Sequence, residues 1–156
     1  MKLGGIFRPG FDKVLFPALL VLALSLGAIA DSGQAPSQGT VRPLAAAKFA
    51  PGDDIRCLYV LLENGDPATR PSTFLLKAPP KCAVPPHFHT AEEQLIVVSG
   101  EVSTGMEGMS DTVLGSGGFA MMPGKKPHWF SCVSKIECLM FVTFDRTYDI
   151  TWVKQK

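Results

Sequence analysis

Histidine is scarce in this chain: only three occur in 156 residues, so any histidine-based site has at most three such ligands. Neither sign of charge is in excess, with 15 basic against 14 acidic residues. No block of like charge occurs, which removes the electrostatic footprint of a nucleic-acid binder. Charged residues are few, 19% of the total, while 46% are hydrophobic, a balance that excludes a wholly disordered chain. No C-x2-C pair is present, so a structural zinc knuckle is excluded. Gly115-Ser116-Gly117-Gly118 lacks the first glycine of G-x-S-x-G, which argues against a serine hydrolase. Beyond the N-terminus no stretch carries a 3.6-residue apolar period, and no internal repeat is found.

What the sequence does hold begins with an export pattern. Lys2, Arg8 and Lys13 precede an almost wholly apolar run from Val14 to Ala30 that ends Ala28-Ile29-Ala30. A basic region, an apolar stretch and small residues at a cleavage point form a secretory signal peptide over residues 1–30. The alternative, a membrane anchor, is disfavoured because the run is at the lower limit for spanning a bilayer and Pro17 interrupts it. The expectation is an exported protein, periplasmic or secreted, that leaves the membrane after cleavage. No cysteine lies near the cleavage point to take a lipid. Residues 31–45 are rich in Gly, Ser, Gln and Pro and read as a flexible leader. Residues 46–156 then form one domain, large enough to bury a core without staples.

Thirteen prolines and fifteen glycines separate short apolar runs, the pattern of an all-β protein. Strands are expected over Ile55–Leu62, Thr73–Ala78, Gln94–Ser99, Val102–Met106, Gly118–Met122, His128–Val133, Ile136–Phe144 and Tyr148–Val153. Asn64-Gly65-Asp66-Pro67, Ser99-Gly100-Glu101 and Pro123-Gly124-Lys125-Lys126-Pro127 supply turns between them. That series fits a small sandwich or barrel. Cys57, Cys82, Cys132 and Cys138 can pair in an oxidising compartment, with three possible connectivities, or remain buried free thiols. Cys132 and Cys138 flank the turn at Val133-Ser134-Lys135, where they can face each other.

The chemistry is concentrated in Pro85-Pro86-His87-Phe88-His89-Thr90-Ala91-Glu92-Glu93. Residues two apart in a strand share a face, so His87 and His89 project into one space. With a carboxylate four residues on and His128 from a second segment, they make a ligand set for one divalent transition metal. Imidazole and carboxylate suit Fe, Mn, Ni, Cu or Zn and leave positions for water or substrate. By strand parity Phe130 and Cys132 share the His128 face and are expected to line the pocket. The alternating Ile136, Cys138, Met140, Val142 and Phe144 offer a second apolar wall. Lys125 and Lys126, just before His128, read as a solvated turn rather than an anion attractor. Met106-x-x-Met109 and Met121-Met122 read as core fillers rather than a copper thioether site.

These two segments resemble the paired motifs of the cupin superfamily. The first, G-x5-H-x-H-x3,4-E-x6-G, matches at His87, His89, Glu93 and Gly100 and departs at Lys81, where glycine leads the motif. The second, G-x5-P-x-G-x2-H-x3-N, matches at Gly117, Pro123 and His128 and departs at Lys125 and Cys132. The resemblance implies a double-stranded β-helix, or jelly-roll, barrel, with His87, His89, Glu93 and His128 as metal ligands and Glu92 a solvated neighbour. It also implies a small-molecule ligand and a homodimer. Such proteins include dioxygenases, isomerases, lyases, sugar-binding modules and storage proteins, so the fold alone leaves the activity open. The favoured expectation is a dioxygenase-like oxidoreductase. A non-catalytic periplasmic metal- or ligand-binding protein is the alternative.

Overall fold

A computed structural model describes residues 39–154; the signal peptide expected over residues 1–30 lies outside them. The compact unit begins at Val41, ahead of the boundary expected at residue 46. Of the expected leader only residues 39–45 are described. There Arg42 pairs with Glu63 at 2.5 Å, and Leu44–Ala46 makes a single 3-10 turn.

Eleven strands follow among the described residues: β1 (Ala50–Pro51), β2 (Tyr59–Gly65), β3 (Ser72–Ala78), β4 (Ala83–Phe88), β5 (Glu93–Ser99) and β6 (Val102–Met106), then β7 (Thr112–Leu114), β8 (Phe119–Met122), β9 (His128–Cys132), β10 (Cys138–Phe144) and β11 (Thr151–Trp152). They form two antiparallel sheets, ordered β1-β2-β3-β10-β5-β8 and β11-β4-β9-β6-β7. The crossovers between non-consecutive strands make the jelly roll that the motifs implied.

Alternation along each strand fixes which side faces in. In β5 the residues Glu93, Leu95 and Val97 are buried while Gln94, Ile96 and Val98 are exposed. The core joins Leu95, Val97, Met140 and Val142 of the larger sheet to Val84, Val102, Phe130 and Cys132 of the smaller. Each such aliphatic side chain contributes about 1.5–3 kcal/mol on burial. A one-residue slip of β5 would turn Glu93 out of the interior and Gln94 in, so the hydrophobic pattern also fixes the site's register.

Three strand expectations change. The strand expected from Ile55 starts at Tyr59, because residues 55–58 close a turn through Leu58 N–H to the Ile55 carbonyl. The last two shorten to Cys138–Phe144 and Thr151–Trp152. Strand β4, which carries His87, was missed because Pro85-Pro86 reads as a breaker. The prolines sit in an irregularity of the β4–β9 ladder, between the pairs Val84↔Phe130 and His87↔His128, where no ladder donor is required of them.

All four cysteines are bridged, as Cys57–Cys82 and Cys132–Cys138. The first ties the loop before β2 to the start of β4, and the second spans the β9–β10 turn.

Candidate metal centre

His87 lies near the end of β4 and His89 just beyond it, while Glu93 opens β5 and His128 opens β9. All four are buried, and one ligand atom from each lies within 4.8 Å of all the others. His87 and His128 are direct cross-strand partners, so the ladder itself sets their rings face to edge, with centroids 4.4 Å apart. Glu92 is not in the cluster; its side chain accepts from Gln94 at 3.0 Å.

Each imidazole is oriented from behind. His87 donates from Nδ1 to the Pro85 carbonyl at 2.8 Å, and His128 does the same to Lys126 at 2.9 Å. His89 uses its Nδ1 on the carbonyl of Asp149. These acceptors assign the proton to Nδ1 in all three rings, so every Nε2 is the free ligand atom. Without a metal, His89 Nε2 and His128 Nε2 stand 3.0 and 3.2 Å from the same Glu93 oxygen, Oε2. A ring already donating from Nδ1 makes that contact a hydrogen bond only by carrying a second proton at Nε2. A divalent cation held by the four residues would take the place of that proton.

The electrostatics agree with this arrangement. Burial alone would raise the Glu93 carboxyl, but hydrogen bonds from His128 and His89 outweigh it and hold the group down to about 2. Burial likewise pulls His128 down, and the Glu93 contact more than reverses it, leaving His128 above its ordinary value. His87 has no such carboxylate contact. Burial dominates there and lowers it to about 4, which keeps the ring neutral and ready to ligate.

A cavity of about 240 Å³ opens beside His87, His89 and Glu93. Its walls are apolar: Leu58, Val60, Phe74, Leu76, Phe130, Val142 and Phe144. Of the expected lining residues Phe130 is there. Cys132 and Met140 are not, because Cys132 is tied into its bridge and Met140 packs fully buried in the core. Ile136 of the expected wall lies outside β10 and is exposed. Lys125 and Lys126 also stay out of the cavity; Lys125 occupies the turn at φ 65° and Lys126 sits 3.7 Å from Glu107. Met106, Met109, Met121 and Met122 line a separate cavity of about 410 Å³. Met122 is buried and Met106 packs against the core, as expected, whereas Met109 and Met121 are exposed.

Sequence reasoning missed the C-terminal strap over the ligands. Besides the Asp149 carbonyl on His89, the Asp149 carboxylate accepts from Thr90 N–H and Oγ1, both at 2.6 Å. Asp145 accepts from Glu92 N–H at 2.9 Å. The Tyr148 ring lies 5.3 Å from His89 and the Trp152 ring 5.5 Å from His87. The carbonyl that orients His89 carries no side-chain signature, so no motif could have marked it.

Residues 74–144, which contain all four clustered side chains, match the family model described as Cupin domain. This is a cupin fold.

Solved structures with the same fold include the polyketide cyclase RemF from Streptomyces resistomycificus, with a TM-score of 0.65 at 18% identity over 76% of this chain and 88% of that one. The DMSP lyase DddQ from Ruegeria pomeroyi DSS-3 follows at 0.58 and 20%, over 70% of this chain and 62% of that one. An oxalate oxidase in complex with the substrate analogue glycolate gives 0.57 and 20%, over 80% and 67%. Thus cupin barrels of this shape include enzymes of several reaction types. No curated protein matches the chain in sequence. The cupin glycine positions taken by Lys81 and Lys125 here keep the backbone that glycine favours, at φ 69° and 65°. Gly100, which closes the first motif, has φ 81°, and a Cβ there would come within 2.9 Å of Cys138 Cα.

Proposed function

We propose that this cupin domain is an exported, metal-dependent enzyme acting on a small molecule, with dioxygenase-like oxidoreductase chemistry. The observation that carries the reading is the convergence of three Nε2 atoms and one carboxylate oxygen at the wall of an apolar cavity. Three neutral imidazoles and one carboxylate suit a first-row divalent metal: Fe, Mn, Ni, Cu or Zn. His87, His89, Glu93 and His128 would hold it, and the chemistry it supplies is Lewis-acid or redox activation of a bound substrate. The chain's own part is separable from that. The carbonyls of Pro85, Lys126 and Asp149 keep each Nε2 aimed inward, and Glu93 offsets charge. Leu76, Phe74 and Phe144 exclude water from the substrate's body.

The two disulfides support a home in an oxidising compartment, in line with the signal peptide expected over residues 1–30. Among the described residues no helix is long and apolar enough to cross a membrane. Ile96, Val98, Phe119 and Met121, exposed on the outer face of the larger sheet, support pairing of two copies across that face.

A second reading, a non-catalytic metal- or ligand-binding protein, is favoured by one feature. Among the described residues, the cavity wall carries no histidine or lysine beyond the ligand set to serve as a separate proton donor. Elemental analysis of protein purified from its own compartment, followed by oxygen uptake with candidate substrates, separates the two. Stoichiometric iron with substrate-dependent oxygen consumption supports the enzyme. Bound metal with ligand retained unchanged supports the binder, and protein without metal at any of the four residues rejects the metal-dependent enzyme.

A further inference from the structure

The polar groups of the cavity are divided unevenly between its two ends. The buried ligand residues and a set of hydrocarbon side chains form most of its wall. At the outer end the loop between β1 and β2 contributes Asp53 and Asp54, both exposed and both lining the cavity. Tyr148 stands with them, and its hydroxyl donates to Asp54 Oδ2 at 3.2 Å. That bond commits the one hydroxyl proton of Tyr148 to Asp54. The mouth therefore offers acceptors. Among the described residues no lysine or arginine lines any part of the cavity.

The loop is also held in place. Cys57 is bridged to Cys82 at the start of β4, Gly52 N–H donates to the Leu58 carbonyl, and Tyr148 N–H donates to Pro67. The acidic mouth is thus fixed to the strand that carries His87, and its distance from the ligand cluster does not depend on a free loop.

We propose that, given the metal reading above, the ligand is a compact molecule with a metal-binding inner end, an apolar body, and a cationic or donor-bearing outer end. Dicarboxylates and other ligands with an anionic tail are rejected. A tail carboxylate would face Asp53 and Asp54 with no cation to pair with, whereas an ammonium finds two carboxylates. The volume, about 240 Å³, is below the ~300–1,000 Å³ of drug-sized sites, which limits the body to about one ring.

A matched series tests this. Co(II)-loaded full chain is titrated anaerobically at low salt with 4-(2-aminoethyl)catechol, 4-ethylcatechol and 3,4-dihydroxyphenylacetate, reading the Co(II) visible bands. The same series is repeated on the double variant Asp53→Asn, Asp54→Asn, which keeps an acceptor for Tyr148. We expect the order cation, neutral, anion, with about a tenfold gap in Kd between the ends, since each half-screened pair supplies a few-fold. The double variant should shrink that gap to about twofold with unchanged Co(II) bands before ligand is added, and added salt should shrink it in the native chain. An anion bound as tightly as the cation, or an order that survives in the double variant, overturns the proposal. If the bands never depart from those of aqueous Co(II), the metal reading fails instead. Tryptophan quenching by the same three compounds then decides the preference of the mouth, by the same order and the same variant.

Discussion

His89 and Asp149, sixty residues apart, are joined by a hydrogen bond from the imidazole Nδ1 to the Asp149 backbone carbonyl. The Asp149 carboxylate meanwhile holds the next residue, Thr90, by both its N–H and its hydroxyl. The segment after β10 therefore acts as a clamp on the loop between the first two histidines and Glu93. Substituting Asp149→Ala leaves the carbonyl but frees Thr90, so the aim of His89 loosens. Metal affinity should fall by roughly tenfold, the lower end of what loss of a supporting partner costs. Competition against a chromophoric chelator measures it, and unchanged affinity would show that the clamp is only structural.

The ligand set predicts a graded response to substitution. His87→Ala, His89→Ala and His128→Ala should each lower metal affinity by more than the ~10–100-fold attached to supporting groups. Glu93→Gln keeps the shape of the site and loses its charge, so metal persists at reduced affinity. Glu92→Gln is the control, because the Glu92 side chain lies outside the cluster. Metal per chain and melting temperature report both effects, since a metal bound only by the folded form adds to its stability. A larger loss from Glu92→Gln than from Glu93→Gln would mean that the register is wrong.

Acidity acts on the metal-free protein in opposing ways. His128 is raised by Glu93, so its contribution is complete below the ordinary 6.5 and disappears as pH rises through its folded value. His87 is held down to about 4, so between 6.5 and about 4 the unfolded chain takes up a proton that the folded chain refuses, and stability falls. Glu93, at about 2, contributes above its ordinary 4.5 and is lost only as pH drops toward 2. Melting in EDTA should accordingly show a decline from pH 6.5 to 4 that His87→Gln flattens. Metal affinity should weaken from above pH 6.5 downward, as the proton on His128 competes. Occupancy that survives long dialysis at pH 4.5 would contradict a histidine-dominated site.

Two lysines occupy left-handed backbone, Lys81 and Lys125. A residue with a Cβ is strained there by roughly 1–2 kcal/mol, part of which glycine gives back through the entropy of the unfolded chain. Lys81→Gly and Lys125→Gly should each stabilise by about 0.5–1 kcal/mol in urea unfolding. The Lys125 N–H, which donates to the His89 carbonyl at 2.6 Å, is kept in the variant, so metal affinity should not fall.

The bridges make a chemical prediction. Thiol titration of denatured, unreduced protein should find no free cysteine. Replacing Cys57 and Cys82 by serine opens a loop spanning 25 residues. Loop-closure entropy for that length corresponds to about 3.5 kcal/mol of stability. The catechol probes should lose their order of preference in that variant before they lose binding, because the acidic mouth is released while the four ligands stay.

The legible part of the site was the part written in side chains at fixed spacing. His87, His89, Glu93 and His128 stand out because parity and interval constrain them. The alternation in β5 and β9 likewise announces a buried face. Strand β4 was obscured, since Pro85-Pro86 imitates a break and its tolerance depends on a ladder irregularity that only the partner strand supplies. The same limit applies to Cys132 and Met140. Parity gave their inward direction correctly, yet the larger interior also contains a bridge and a packed core. The strap from Asp145 to Trp152 reads in the sequence only as a plain strand over Tyr148–Val153, because its work is done by a carbonyl, two acidic caps and two rings meeting residues from far away in the chain.

The cross-ladder pairing of His87 with His128 has a consequence for the order of events in the life of the chain. No two neighbouring segments suffice to build the centre; it requires β4, β5 and β9 to be zipped together and the tail to have crossed behind His89. Contacts of such long sequence separation form late, after most of the loop entropy has been spent. A nascent or still-extended chain therefore offers no trap for passing ions. An ion held at this centre would be captured from whatever pool surrounds the chain at the moment the barrel closes, and the supply in that place, as much as the ligand set, would select which element is kept.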